Sequence, residues 1–242
     1  VPNGPQRGKE KPKSRKTQIK KNDSSQQLKY EDYEEINDAV SNGHPILPEP
    51  SVAENGMTIM TTGNSWMSLS LDGGQSFSSV NPTTIFPNDY GGFCCDQVLN
   101  YVPEYDLFVW LLQYWSSDGI NAIRVAVQNT QEVRNSNGTS WTYWDFRNTD
   151  LASSGNLDYN DMSFSNNFLY WTSSIGGGGN RYVIRIPLKE LQAKGTVNYQ
   201  FTNSTQAFWS HVTQNGQNGV YWAGHENNST MKVYSMMESD NF

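Results

Sequence analysis

The sequence predicts an all-β chain, a β-propeller of four-stranded antiparallel blades, with about four blades and the last incomplete. Three observations carry that prediction. The first is composition. Eight Trp, thirteen Tyr and ten Phe occur in 242 residues, only 17% of which are charged. Such a mixture suits many short strands and turns; a helical chain would be richer in Ala, Leu, Glu and Lys. The second is a repeat whose aligned centres, Met60, Trp110, Trp171 and Trp222, stand 50, 61 and 51 residues apart. A period of roughly 40–60 residues holding four short strands is that of propeller blades. The third is period-2 alternation, as in Ile123-Arg124-Val125-Ala126-Val127 and Val183-Ile184-Arg185-Ile186, which marks strands rather than helices.

Each repeat runs from a polar-led strand through a turn to a Trp/Tyr-rich second strand, a loop and an alternating third strand. The second strands are predicted at Met57–Thr62, Leu107–Tyr114, Phe168–Ser173 and Gly219–Ala223, and the third at Trp66–Leu71, Ala122–Gln128, Tyr182–Leu188 and Met231–Met237. A basic residue recurs at one place in the last three third strands, as Arg124, Arg185 and Lys232. Fourth strands follow at Ser76–Val80, Trp141–Phe146 and Val197–Thr202. The one expected helical turn is Leu188–Lys194. The fourth repeat stops after its third strand, so an N-terminal segment could complete a four-bladed ring. The preferred expectation is a larger propeller whose remaining blades lie elsewhere, with the open blade as an association edge for a partner chain or a second copy.

Outside the blades of 48–242, the chain divides into a basic tail, 1–28, and an acidic linker, 29–47. Residues 1–21 carry eight Lys/Arg against one acid, so the net charge of −7 divides into +7 on this segment and −14 on the rest. The tail has too few apolar side chains to offset the entropy of ordering and is expected to be disordered. No aromatic residues interleave its basic ones, which argues against nucleic acid as partner. No apolar run reaches the roughly 20 residues of a membrane helix. The chain begins at Val1-Pro2-Asn3, read as a processed mature form. Sequons at Asn22, Asn137, Asn203, Asn227 and Asn228 favour a secreted, extracellular glycoprotein.

The stretch Ser70-Leu71-Asp72-Gly73-Gly74-Gln75-Ser76-Phe77 reads Ser-x-Asp-x-Gly-x-x-Phe. Here Asp72 can fold its carboxylate back onto backbone N–H groups and Gly74 can take a positive φ, while Phe77 anchors the turn to the sheet. The stretch resembles the Asp box of sialidase-like β-propellers, which lies between the third and fourth strands of a blade. The resemblance covers about residues 48–242 by layout and one box by motif. It implies a structural role for Ser70, Asp72, Gly74 and Phe77. A sialidase itself is not implied. Arg185-Ile186-Pro187 has the letters of that family's early element but lies in a third strand, and the three arginines that hold a carboxylate are not visible.

In a propeller the first strand of each blade lines the central channel, and ligands bind at one mouth. Aligning the repeats places Glu49, Asp96, Asp161 and His211 at or near the starts of those strands, with Gln97 beside Asp96. Three carboxylates and an imidazole could bind a sugar or a cation, or act as an acid/base pair. No metal-ligand spacing is present and no cofactor is implied, although the carboxylates leave room for a structural cation such as calcium. The adjacent Cys94 and Cys95 are read two ways: as a vicinal disulfide forming a rigid apolar plate beside Asp96, or as two buried free thiols on opposite faces of a strand. The function expected is a secreted, non-catalytic module for glycan or extracellular protein binding and assembly. The alternative is a carbohydrate-active enzyme, a glycoside hydrolase or polysaccharide lyase, using the channel carboxylates.

Overall fold

A computed structural model describes residues 49–240 apart from 152, 154, 177–179, 203, 204, 207 and 215. The tail and the acidic linker, with Asn22 and Asn203, lie outside the described residues, as does the side chain of His211. The described chain forms four antiparallel sheets, each a simple meander. The first is β1 (Ser51–Asn55), β2 (Thr58–Thr62), β3 (Met67–Ser70) and β4 (Ser78–Val80). The second is β5 (Phe93–Val102), β6 (Leu107–Tyr114), β7 (Ala122–Gln128) and β8 (Thr142–Arg147). The third is β9 (Leu157–Phe164), β10 (Phe168–Ile175), β11 (Asn180–Pro187) and β12 (Gln200–Phe201), with β13 (Thr205–Gln206) also pairing β11. The fourth holds β14 (Phe208–Val212), β15 (Gly219–Asn227) and β16 (Thr230–Met237), with no outer strand among the described residues. The first strands β1, β5, β9 and β14 touch in succession, as the inner strands of propeller blades do.

Hydrophobic layers lie between the blades rather than within them. Met60, Met67 and Leu69 of the first blade meet Phe108, Trp110 and Leu112 of the second. The opposite face of the second blade, with Val109, Leu111 and Val125, meets Leu169, Trp171 and Ile184 of the third. Tyr170 and Val183 of the third then meet Val220, Trp222 and Met236 of the fourth. A middle strand of an interior blade is therefore covered on both faces, which is why β6 opens with the apolar run Leu107–Leu112 and is buried along its whole length. The end blades are one-sided. Val52 on the first is 64% exposed, and Met231 and Val233 on the fourth are 58% and 66% exposed.

The connections between third and fourth strands differ from blade to blade. In the first blade this place is the box. Ser70 Oγ donates to Asp72 Oδ1 at 2.8 Å and accepts from Gly74 N–H at 2.8 Å. Asp72 Oδ1 accepts from Ser76 N–H at 3.0 Å, and Oδ2 from the Ser76 hydroxyl at 2.6 Å. These bonds, led by the Ser76 hydroxyl, hold the Asp72 carboxyl down at about 2. Gly74 takes φ +90°, and Phe77 is half-buried. In the second and third blades the place is taken by short helices, α2 (Thr130–Asn135) and α3 (Leu188–Ala193). A further turn, α1 (Pro82–Ile85), follows β4.

The expectation of a single helical turn is thus corrected. Asn81 and Asn129 each accept a backbone N–H of the following turn, at 2.9 and 2.8 Å. An Asn cap supplies the partner that the first free N–H groups of even a one-turn helix require. The expected fourth strand at 197–202 shortens to Gln200–Phe201.

The supposed equivalence of Arg124 and Arg185 also fails on register. Arg124 pairs Leu112, two residues from the Ala126 partner of Trp110, whereas Arg185 pairs Tyr170, one residue from the Ile184 partner of Trp171. An odd offset turns a strand side chain to the other face. Arg124 therefore shares the face that packs on the first blade, and Arg185 the face that packs on the fourth. Each ties down a neighbour. Arg124 pairs with Asp145 at 2.6 Å and Asp89 at 2.8 Å, and lies over the Tyr143 and Tyr114 rings. Arg185 donates to Met237 O at 2.6 Å and Asp240 O at 2.5 Å. Arg124 is fully buried, so Arg124→Ala leaves Asp145 unpaired beneath it and should cost about 3 kcal/mol in urea unfolding. Arg147→Ala, which removes an exposed pair with Asp150, should hardly move the midpoint.

Candidate active-site pocket

Asp96 lies on β5 where the strand leaves regular pairing. The register runs from Cys95 opposite Gln113 to Val98 opposite Leu111, one extra residue on the β5 side. Asp96 takes φ +46°, the left-handed region that a non-glycine residue adopts at a cost of roughly 1–2 kcal/mol. The inner strand of the third blade repeats the device. Asp158 stands opposite Ser174 and Asp161 opposite Thr172, and Tyr159 between them has φ +49°. A bulge of this kind re-aims the side chains beside it. Here the two bulges turn Asp96 and Asp158 toward one another.

Glu49, immediately before β1, completes the group. Its side chain and that of Asp158 both hydrogen-bond the Asp96 carboxyl, which is raised to about 7. Burial is the largest cause; the hydrogen bond and negative charge of Glu49 come next, then those of Asp158. Gln113 Nε2 donates to Asp158 Oδ1 at 3.0 Å, and Gln113 Oε1 accepts from Asn160 Nδ2 at 2.7 Å. Asn64 Oδ1 accepts the Asp96 N–H at 3.3 Å.

Asp96 and Asp158 open into a cavity of about 700 Å³. Its walls carry Asn64, Gln113, Asn121 and Asn156, which bear amides, and the aromatic residues Trp66, Phe93 and Trp115, with the buried Tyr114 behind them. Cys94 and Cys95 also line it, bonded to each other as a disulfide. Of the two readings of this pair, the structure holds the ring. The cavity reaches from the inner strands β5 and β9 out to Ser79 and Val80 on β4. Three strand spacings separate an inner from an outer strand, about 14 Å, so the space is elongated. Trp115, 59% exposed, stands on the loop after β6 at the rim.

Two other residues singled out in the sequence, Asp161 and Gln97, bond to the scaffold. Asp161 accepts from Met162 N–H at 2.9 Å and from Val212 N–H, on the fourth blade's inner strand, at 3.0 Å. Gln97 is buried; its Nε2 donates to Gly63 O at 2.7 Å and Trp66 O at 2.9 Å, while its Oε1 accepts the Trp110 indole N–H at 2.9 Å. The backbone of His211 pairs Ala223. Neither Asp161 nor Gln97 is among the lining residues of the cavity. Asp158 went unnoticed in the sequence, because aligning Asp161 with Asp96 ignores the two bulges; by register Asp161 corresponds to Val98 and Tyr159 to Asp96. Asn137, Asn227 and Asn228 are exposed. Among the described residues no group of His, Cys, Asp or Glu is arranged to hold a metal ion, and no helix is long and apolar enough to cross a membrane.

No protein-family profile matches this chain, and no curated protein sequence does. Solved structures do. The exo-β-1,3-galactanase of Phanerochaete chrysosporium, determined with β-1,3-galactotriose, is similar over 78% of this chain and 46% of its own, with 14% identity and a TM-score of 0.44. The catalytic domain of an α-L-arabinofuranosidase from Coprinopsis cinerea is similar over 81% of this chain and 66% of its own, with 13% identity and a TM-score of 0.45. The chain spans between about half and two thirds of the length of these structures. Both likenesses concern the course of the chain alone.

The raised Asp96 carboxyl links pH to stability with a definite sign. Because the folded state holds its proton more tightly than the unfolded one, the contribution is complete below pH 4 and is lost as pH rises through about 7. For a group that is only partly buried the loss is of the order of 1–2 kcal/mol. The melting temperature of the protein should therefore fall between pH 4 and pH 7, and Asp96→Asn should flatten that decline. An unchanged pH profile in Asp96→Asn would show that the Asp96 carboxyl is not the source of the decline.

Proposed function

We propose that the chain is a carbohydrate-binding propeller module and that its ligand lies in the pocket between Asp96 and Trp115. The observation that carries this reading is the lining itself. Carboxyls and amides that can bond pairs of hydroxyls alternate with aromatic faces on which a pyranose ring can stack, and the cavity is long enough for more than one sugar. The disulfide supplies a stiff apolar wall that keeps its shape when a ligand leaves. Sialidase-like kinship belongs to the same proposal, supported by the bonded geometry of the Ser70–Phe77 box. So does an extracellular setting, supported by the exposed sequons at Asn137, Asn227 and Asn228. Assembly through the fourth blade is part of it too, supported by the β16 edge with Met231 and Val233 outside.

A second reading, glycoside hydrolysis, is favoured by one observation: a carboxyl raised to about 7 beside ionisable partners is a general acid in waiting. Against it stands the spacing. Glycosidase carboxyl pairs flank the scissile bond at about 5–5.5 Å or about 6.5–9.5 Å. Asp96 instead lies within hydrogen-bonding reach of both Glu49 and Asp158, nearer to each than either spacing. Binding is therefore the better-supported function.

Titration calorimetry against a panel of oligosaccharides, paired with a reducing-end assay on the same sugars, separates the two. The expected result is saturable binding without release of reducing ends. Trp115→Ala should weaken that binding by about tenfold, the loss of one stacking platform, with the melting temperature unmoved because the ring is largely exposed. Turnover abolished by Asp96→Asn would instead establish the hydrolase.

A further inference from the structure

The two cysteines of this chain are neighbours in sequence and bonded to each other. A disulfide stabilises a fold chiefly by closing a long loop in the unfolded chain, and a bond between neighbours closes none. It is therefore no staple, and its effect is local. Its place is the wall of the cavity, which Cys94 and Cys95 both line. Adjacent residues of a regular strand face opposite ways, so both reach one cavity only where β5 departs from regularity. Phe93 pairs Tyr114, Cys95 pairs Gln113 and Val98 pairs Leu111. Two extra residues thus enter β5 in succession, the first at the bonded pair and the second around Asp96, whose φ is +46°. The bond holds the first bulge covalently, and the second lies directly beside it.

We propose that the Cys94–Cys95 bond is a reversible thiol–disulfide exchange site, opened by a dithiol reductant, that switches the pocket between a binding and a weakly binding form. The switch rests on the saccharide reading; the exchange site does not. Both cysteines are half-buried at the cavity wall, so a thiolate entering the cavity reaches them without unfolding the blade. That thiolate breaks the Sγ–Sγ bond and forms a mixed disulfide with one cysteine. The reductant's second thiol then displaces the cysteine, and the reductant leaves as its own disulfide. Two electrons and two protons pass to the protein, which now holds two thiols. The chain has no third cysteine, so reoxidation within it restores the same bond. Once the bond is open, nothing covalent keeps both side chains on one side of β5. Cys94 and Cys95 are free to alternate, which removes the first bulge, and a one-residue slip turns the side chains that follow to the other face. Asp96 is the first of these. The pocket loses its stiff wall and a carboxyl in one step.

Dithiothreitol and then iodoacetamide under native conditions, read by intact mass, test the exchange. Hydrogen exchange across Phe93–Gln97 reads the strand, and calorimetry with trisaccharides of glucose, galactose and xylose reads the pocket. The expected result is two alkylated cysteines on a chain that stays folded, with its melting temperature nearly unchanged. Amide exchange across Phe93–Gln97 should quicken on reduction. A trisaccharide that binds the oxidised protein should bind the reduced one at least about tenfold more weakly, and reoxidation should restore it. The double variant Cys94→Ser, Cys95→Ser should show the weak affinity with or without reductant. If the cysteines are alkylated only when the protein unfolds, there is no exchange site. If the reduced protein exchanges amides and binds sugar as the oxidised one does, the bond is a passive wall and the switch is wrong. If no trisaccharide binds the oxidised protein, the saccharide reading fails with the switch, and alkylation alone decides the exchange site. Should the double variant fail to fold, the wild-type protein before and after reduction decides.

Discussion

Each blade presents a bare strand edge to the propeller's axis, and an exposed edge is a row of unsatisfied N–H and C=O groups. The molecule meets that constraint with side chains from the neighbouring blade. Ser51 Oγ accepts Leu99 N–H at 2.9 Å, joining β1 to β5. Asn121 accepts Leu157 N–H at 2.9 Å and donates to Leu157 O at 2.8 Å, joining the second blade to β9. Asp161 accepts Val212 N–H, joining β9 to β14. Buried polar groups of this kind are costly only when unpaired. Here each pairing also sets how far one inner strand stands from the next, and hence where the carboxyls on those strands can reach.

The bulges in β5 and β9 follow from the same constraint. A regular strand would alternate its side chains, one toward each neighbouring blade, and leave none pointing along the axis. An extra residue in the left-handed region breaks that alternation and frees Asp96 and Asp158 to turn to the mouth. Asp96 and Tyr159 keep that conformation because the surroundings fix it: Asn64 bonds the Asp96 N–H, and Asp158 Oδ1 accepts the Tyr159 N–H at 2.9 Å. Strain held in place at a concave, polar-lined site is commonly functional.

How much of this the sequence discloses depends on what each feature is made of. β6 and β7 are legible to the residue, since Leu107–Leu112 is a continuous apolar run of the kind a strand covered on both faces needs, and Ala122–Val127 is apolar but for Arg124. The Ser70–Phe77 turn is legible because all its bonds lie within eight residues. Cys94-Cys95-Asp96 is legible as an oddity. Asp158 is not, because its place depends on a bulge, which adds one residue without any compositional mark. The same loss of register misplaced Asp161 and made Arg185 look like Arg124. The helical turns α1 and α2 were within reach, since Asn81-Pro82 and Asn129 are ordinary cap signals; the strand period of the repeat obscured them.

Charge is sorted by radius in this fold. Arg124 lies on the third strand of its blade and spends its donors on Asp145, Asp89 and Tyr114. Arg185, also on a third strand, spends its own on Gln200 and two backbone carbonyls. Both are closed by these contacts and by the rings packed on them, so their positive charge stays toward the rim, far from the axis by two strand spacings. Desolvation would make a lone buried guanidinium expensive there, and the surrounding acceptors remove that cost. The inner strands do the opposite: Asp96 and Asp158 line the cavity, and no Lys or Arg stands among its described lining residues. Paired charge toward the rim and unpaired carboxylate toward the axis are thereby separated in space.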